Sequence, residues 1–250
     1  MLLFYIRHGN PTYNPDKLTP LGKRQAEAVC RRLAAFGVDE IYSSTSTRAM
    51  QTAEPLCEIL GKQMTTIDWI HEKYAFTELT MPYKNGKNTW LWSHPEYAEL
   101  LCSRELREMG DNWYEHPKLV GHDFGTAIKR IGSEADKWLA TFGYEHDREK
   151  GMYKITSDGY KEKRIALFAH EGSGKVFLSE MLDIPYPYFS AHMDMQQSGM
   201  TVIKFDDGGN MHDFGGYARA RVLTVSNDSH LYRSGLPTEY NATYLYSIKY

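Results

Sequence analysis

Short apolar runs alternate with helical patterns over the first 70 residues of the chain. Leu2–Ile6 is a continuous apolar run, which is typical of a strand buried on both faces of a parallel sheet. Glu40–Tyr42 has the pattern of a second short strand, and Thr65–Ile70 has that of a third. Each gap between these runs is long enough to hold a helix.

Both gaps carry apolar residues spaced three and four positions apart, as on one face of a helix. The first predicted helix begins at Pro20 and ends before Gly37, a residue that favours helix C termini. The second is capped by Ser46 or Thr47 and closed by Gly61. The order β-α-β-α-β predicts a parallel sheet with right-handed crossovers.

Residues 80–160 do not continue this alternation. They contain polar and aromatic stretches that carry Gly and Pro, with one clear helical pattern from Ile128 to Phe142. We interpret 80–160 as a largely helical lid, inserted into a single domain that spans residues 1–250. The aromatic residues of this segment either pack inside the lid or stack on a substrate, and packing is the favoured interpretation: Trp90, Trp92, Trp113 and Tyr114.

The alternation resumes after the predicted lid. Arg164–Ala169, Met200–Phe205 and Arg221–Val225 have strand patterns, and Ser173–Leu182 has a helical one. The last 25 residues are irregular and rich in tyrosine. We therefore expect an α/β fold, a three-layer sandwich in which helices flank a mostly parallel sheet.

Charge and cysteine content narrow the classes of partner and the location. The 29 basic and 32 acidic residues are interspersed and give a net charge of −3, which leaves no footprint for nucleic acid or an anionic membrane. The opening apolar run is too short for a signal peptide or a membrane span. Cys30, Cys57 and Cys102 are scattered, which favours a reduced, cytoplasmic protein. The oligomeric state stays open.

The candidate chemistry lies where strands end. In open α/β sheets, ligands bind beyond the carboxyl ends of the strands, and Arg7-His8-Gly9 directly follows the first one. A histidine held there can expose one ring nitrogen as a nucleophile while the other donates to a backbone carbonyl. Taken alone, His8 is more readily explained as a histidine that simply closes a strand.

Two further strand ends carry cationic or imidazole groups. Arg48 stands at the start of the second helix, where a guanidinium and a helix N terminus together suit a phosphate. His170 comes directly after Arg164–Ala169. Each could be a surface charge or a cap, but their convergence with Arg7 and His8 on one sheet edge favours an anion site.

Four sequence blocks, in order and spacing, resemble the histidine phosphatase superfamily, whose members include phosphoglycerate mutase-like proteins. The blocks cover about 70 residues at the front of the chain and about 40 around the last of them: Tyr5–Gly9, Leu18–Ala26, Ser43–Ala53 and Ala169-His170. The residue after His170 is Glu171, whereas glycine is usual in the family, so the local turn is expected to differ.

The resemblance implies a phosphate pocket in which Arg7, Arg48 and His170 surround the nucleophile His8. It places Asn14 where the mutase branch has a phosphate-contacting asparagine. The family's general acid follows the third strand, so Glu72 is the first choice for this role. The second choice is Glu78, and either carboxylate could instead be a solvated loop residue.

Other candidate sites are rejected. Gly172-Ser-Gly-Lys175 lacks the earlier glycine of a phosphate-binding P-loop, and Val176 stands where that motif needs Ser or Thr. No spacing typical of a metal site is present, and four further polar residues are interpreted as surface groups: His192, Asp194, His212 and Asp213. Since the arginines supply the positive charge, no cofactor is expected.

Three functions compete. The first is metal-independent hydrolysis of a small phosphorylated substrate through a phosphohistidine. The second is a phosphoglycerate mutase, but the Arg-Arg pair typical of that branch is absent between Glu72 and Gly121. The third is a non-catalytic protein that binds phosphorylated ligands, which the intact site residues argue against. We expect a phosphoric monoester hydrolase.

Overall fold

The computed structural model describes residues 1–209 and 214–238, and the His212 and Asp213 named above lie outside them. The strands are β1 (Leu2–Arg7), β2 (Pro11–Tyr13), β3 (Asp16–Leu18), β4 (Glu40–Ser44), β5 (Met64–Ile67), β6 (Thr80–Pro82), β7 (Asn88–Trp90), β8 (Tyr144–Asp147), β9 (Met152–Ile155), β10 (Arg164–Ala169), β11 (Met200–Asp206) and β12 (Tyr217–Asn227). The helices are α1 (Pro20–Phe36), α2 (Thr47–Leu60), α3 (Glu72–Leu79), α4 (Ala98–Cys102), α5 (Arg104–Glu108), α6 (Phe124–Ala140), α7 (Gly172–Leu182), α8 (Tyr186–His192) and α9 (Ser229–Arg233).

An eight-stranded sheet, in the order β5-β4-β10-β1-β11-β12-β9-β8, forms the centre of the described part. The pairs of β1 with β10, β10 with β4, and β4 with β5 are parallel, and the remaining pairs are antiparallel. Consequently β11 and β9 run against the common direction of all the other strands. Six of the eight strands of this sheet therefore share one direction, and this mixed, mostly parallel sheet confirms the predicted fold class.

Successive side chains of β1 enter two different cores, as expected for a strand covered on both faces. Phe4 and Ile6 pack with residues of α1 and α2 on one face. Leu3 and Tyr5 pack on the other face, with residues of α6 and α7. Helices on both faces therefore make the predicted three-layer sandwich.

The front of the chain agrees closely with the sequence pattern. Thr19 caps α1 by accepting a hydrogen bond from the Gly22 amide, and Gly37 follows its end. Ser46, one of the two predicted caps, accepts from the amide of Ala49 at the start of α2. The third strand is shorter than expected, because the chain turns after Ile67 and reaches α3.

The segment 80–160 is less uniform than its pattern indicates. The predicted helix within it is α6, but β6 and β7 form a small hairpin, and α4 and α5 have only five residues each. Its last part, β8 and β9, joins the central sheet through β12. Treating 80–160 as one inserted lid stays a prediction. Within the described ranges, no helix combines the length and apolar character needed to cross a membrane.

An ionic cluster around the buried ring of His146 ties β8 to α6 and to the residue after α7. The ring of His146 is 1% exposed, with Nδ1 3.0 Å from Asp136 Oδ1 and Nε2 2.9 Å from Asp183 Oδ2. Burial disfavours the charged ring, but the hydrogen bonds to Asp136 and Asp183 outweigh it and raise the His146 pKa, while Arg148 opposes them. Both nitrogens can donate only in the imidazolium.

A raised folded-state pKa stabilises the protein below the unfolded-state value and loses this effect as pH rises through the folded-state value. We expect His146→Gln to lower the free energy of unfolding by about 1–2 kcal/mol more at about pH 5.5 than at about pH 8.5. Urea unfolding of both proteins at the two pH values measures this difference. An equal loss at both would show that the ring is neutral in the folded protein.

Candidate active site

His8 leaves the carboxyl end of β1 and is fully buried. Its Nδ1 lies 2.8 Å from the carbonyl oxygen of Gly9, and a carbonyl can only accept, so Nδ1 carries the proton. Burial, followed by the charges of Arg7 and Arg48, lowers the His8 pKa well below its ordinary value. Nε2 is buried and has no hydrogen-bond partner among the described residues, so its lone pair is not engaged by any of them.

Gly9 lets the turn after His8 pass close to the start of α1. A Cβ at this position would lie 2.6 Å from the Gly22 carbonyl oxygen, which no larger residue tolerates without a backbone shift. The Gly9 amide donates to Thr52 Oγ1 at 3.1 Å, and that hydroxyl donates to the carbonyl of Arg48 at 2.7 Å. The turn that carries His8 is thus attached to α2.

Arg48 occupies the first turn of α2 and is 7% exposed. Its Nη1 lies 2.8 Å from Asp16 Oδ1, and its Nη2 lies 3.1 Å from Glu72 Oε2. The ring of Tyr13 stacks 5.3 Å from its guanidinium carbon. These contacts from β3, α3 and β2 fix the guanidinium beside His8.

Glu72 is the first residue of α3 and is buried. Its Oε1 accepts from the Gly172 amide at 2.6 Å, while Oε2 lies 3.5 Å from His170 Nδ1. The structure therefore brings the first-choice acid into the site. The carboxylate of the second choice, Glu78, is directed to α6 instead. Both of its oxygens accept hydrogen bonds from Arg130, at 3.0 and 2.5 Å.

His170 follows β10 and is fully buried beside His8, with 5.2 Å between the ring centroids. Its Nε2 lies 2.8 Å from Ser44 Oγ, at the end of β4. The Tyr5 hydroxyl donates to the His170 carbonyl at 2.7 Å. Burial, and then the nearby His8 and Arg48, lower the His170 pKa well below its ordinary value, so both rings are neutral at pH 7.

Sequence reasoning noted Glu171 as a departure from the family but gave it no role. The structure places its carboxylate in the site, with Oε2 2.9 Å from Arg7 Nη1 and Oε1 3.1 Å from Lys175 Nζ. Burial raises the Glu171 pKa, against the opposing effect of Arg7 and Lys175. Lys175 itself is 2% exposed. An acid and a base four residues apart in a largely apolar helical segment were the signal that could have revealed this pair.

A cavity of about 590 Å³ opens above these groups. Its lining contains most of the site residues and several neighbours: Arg7, Tyr13, Arg48, His71, Glu72, Lys73, Phe76, Thr77, Trp90 and Glu171. Asn14 is exposed in the turn between β2 and β3, next to the lining residue Tyr13. Its proposed contact with phosphate stays a prediction.

This arrangement of charges suits a tetrahedral oxyanion. The charges of Arg7 and Arg48 act on the neutral His8 ring, and a carboxylate oxygen of Glu72 lies within 4.8 Å of one of its nitrogens. One potential ligand atom from each of His8, Glu72 and His170 lies within 4.8 Å of the others, a spacing that could also hold a metal ion. Arg7 and Arg48 add positive charge around that trio, and this favours an anion over a cation.

The sequence of residues 3–213 matches the model of the histidine phosphatase superfamily, branch 1. The chain therefore belongs to this superfamily. It is 33% identical over 191 residues to a protein from Hydrogenobacter thermophilus whose name marks it as a candidate phosphoserine phosphatase; the match covers 66% of this chain and 94% of the relative. It is also 30% identical over 73 residues to a protein from Yersinia enterocolitica named as a probable phosphoglycerate mutase; this match covers 34% of that protein.

Solved structures agree on the fold. A mycobacterial glucosyl-3-phosphoglycerate phosphatase is 19% identical, with a TM-score of 0.56 over 90% of this chain and 98% of its own. A phosphoserine phosphatase from Entamoeba histolytica, solved with 3-phosphoglyceric acid, is 17% identical, with a TM-score of 0.55 over 92% and 98%. Together with the family match, these likenesses confirm the predicted class of enzyme, a histidine phosphatase.

The Glu171 carboxylate offsets the charge of Arg7, so Glu171→Gln should change phosphate binding. We expect vanadate and phosphate to bind several-fold more tightly, because one negative charge near the anion is removed. The free energy of unfolding should fall by about 2 kcal/mol, since Lys175 loses a buried partner. Calorimetric titration and urea unfolding measure the two effects.

Glu27→Gln is the matched control, because Glu27 is exposed and pairs with Arg31 at 3.8 Å on α1. It should alter neither quantity. Weaker vanadate binding by Glu171→Gln would contradict the expectation and show that Glu171 chiefly holds Arg7 in position.

Proposed function

We propose that the chain hydrolyses small phosphomonoesters through a phosphohistidine formed on His8. The observation that supports this most strongly is the state of that ring: it is neutral, its Nδ1 proton is directed to Gly9, and its Nε2 is unpartnered among the described residues. Such a nitrogen can attack phosphorus without first losing a proton.

In the first step, the His8 Nε2–phosphorus bond forms as the bond from phosphorus to the ester oxygen breaks. Arg7, Arg48 and His170 stabilise the charge on the phosphoryl oxygens, which is the main task in phosphoryl transfer. Glu72 donates a proton to the leaving oxygen. In this scheme Glu72 enters the step as the carboxylic acid and leaves it as the carboxylate.

In the second step, water attacks the phosphorus of the phosphohistidine. Glu72, now ionised, accepts the proton of that water, and the nitrogen–phosphorus bond breaks to release phosphate and regenerate His8. All the positive charge in this scheme comes from side chains, so we propose that no metal or other cofactor takes part.

A phosphoglycerate mutase uses the same intermediate but must hold the carboxylate of its substrate. The cavity lining adds His71 and Lys73 to Arg7 and Arg48, without the arginine pair typical of the mutase branch. Hydrolysis is therefore the favoured reaction. The relatives named for phosphoserine and glucosyl-3-phosphoglycerate support a small phosphorylated metabolite as the class of substrate.

The proposed location is the cytoplasm. It is supported by Cys30, Cys57 and Cys102, all of which carry free thiols. A nucleic-acid partner is not proposed, since the charge is balanced over the chain.

The intermediate distinguishes this chemistry from binding alone. With EDTA present, we expect phosphoglycerates or a better ester to give an acid-labile, alkali-stable phosphoprotein that decays to free phosphate. Interconversion of 2- and 3-phosphoglycerate, with and without bisphosphoglycerate, should be much slower than phosphate release from the best ester. His8→Ala should form no phosphoprotein yet still bind vanadate through the arginines. Rapid isomerisation with little free phosphate would favour the mutase.

The role of Glu72 is tested by leaving groups of different acidity. Glu72→Gln should slow hydrolysis of alkyl phosphates by at least about 10²-fold, because their alkoxides need a proton as they leave. Nitrophenyl phosphate needs less protonation and should be slowed less. Glu78→Gln is the matched control, and equal losses for both esters in Glu72→Gln would contradict the acid assignment.

A further inference from the structure

One wall of the site cavity is formed by the aromatic side chains of Phe76 and Trp90, and the chemistry described above makes no use of them. Phe76, Trp90 and Tyr13 line the cavity together with Arg48 and Glu72. Phe76 is 43% exposed and Tyr13 is 68% exposed. Apolar surface gathered in one place marks a binding site far more often than single exposed residues do.

The distance of this wall from the reacting groups is set by α3. Glu72 and Phe76 are four residues apart, so they share one face of the helix. A rise of about 1.5 Å per residue separates them by about 6 Å along the axis. The wall therefore begins one helical turn from the carboxyl group that faces the leaving oxygen, within reach of the next few atoms of a leaving group.

Trp90 is firmly held in this wall. Its ring stacks on Trp92 at 4.5 Å between centroids and meets Phe76 edge to face at 5.3 Å. It also presses on the backbone of the catalytic turn, since a Cβ on Gly172 would lie 2.3 Å from Trp90 Cη2. A surface fixed before the ligand arrives loses little conformational freedom on binding.

We propose that the leaving group of the preferred substrate carries an aromatic ring, which packs on Phe76 and Trp90 while the ester oxygen faces Glu72. This inference rests on the proposed phosphatase activity and adds the class of ester to it. A sugar is a poorer occupant, because its hydroxyls need polar partners and Phe76 offers none. Hydrolysis then yields phosphate and an alcohol that bears the ring.

The experiment compares 2-phenylethyl phosphate with ethyl phosphate, whose alcohols have similar acidity, so the chemical step is matched. We expect kcat/KM to be at least about tenfold higher for the phenylethyl ester, mainly through a lower KM, because ring burial is retained from ground state to transition state. Phe76→Ala and Trp90→Leu should each reduce this ratio at least about threefold. Phe36→Ala, which removes a 50% exposed ring from the end of α1, should leave it unchanged.

Four outcomes would overturn the proposal. Equal kcat/KM for the two esters would show that the wall does not bind the ring. Equal losses for both esters in Phe76→Ala would show that the wall only supports the cavity. Faster hydrolysis of glucose 6-phosphate than of the phenylethyl ester would assign the wall to a sugar. Hydrolysis of neither ester, with no phosphohistidine formed, would refute the phosphatase activity itself and this inference with it.

Discussion

The parallel pairing of β1 with β10 is the contact on which the whole site depends. Arg7 lies opposite Ala169 in this register, so the next residues, His8 and His170, leave the sheet side by side. Because β10 also pairs with β4, the end of that strand brings Ser44 to the second histidine. A slip of one residue would turn a histidine to the opposite face of the sheet. The geometry of the candidate site is thus determined by backbone hydrogen bonds within the core.

The charged groups of the site are largely buried and are paired with one another. Each guanidinium of the site already has a carboxylate partner, Glu171 for Arg7, and Asp16 and Glu72 for Arg48. The two imidazoles are neutral. A substrate phosphate must therefore compete with carboxylates for the arginines, and its affinity is a difference between two sets of ion pairs. Such a site favours a dianion, which can replace the charge that it displaces.

The sequence allowed prediction of the residues that strand ends deliver, His8, Arg7, Arg48 and His170, because parallel strands must end at one sheet edge. It ranked Glu72 ahead of Glu78 but could not show that their carboxylates separate in space, since both residues stand on one short helix and Arg130 from α6 binds only Glu78. The joining of polar β8 to the sheet also escaped prediction: β8 pairs locally with β9, but β9 reaches the sheet through β12, about 60 residues further along the chain. The buried role of Glu171 likewise depends on its neighbours in space.

Gly172 links two parts of the enzyme that would otherwise evolve separately. Its amide binds the Glu72 carboxylate, and its missing side chain is the space that Trp90 of the β6–β7 hairpin fills. Even an alanine at position 172 would be tolerated only if the hairpin moved away, because its Cβ would collide with Trp90. Conversely, a hairpin that lies further from position 172 leaves room for larger residues beside Glu72. Substitutions at position 172 and in the hairpin should therefore be epistatic, so that new specificities arise by paired rather than single steps.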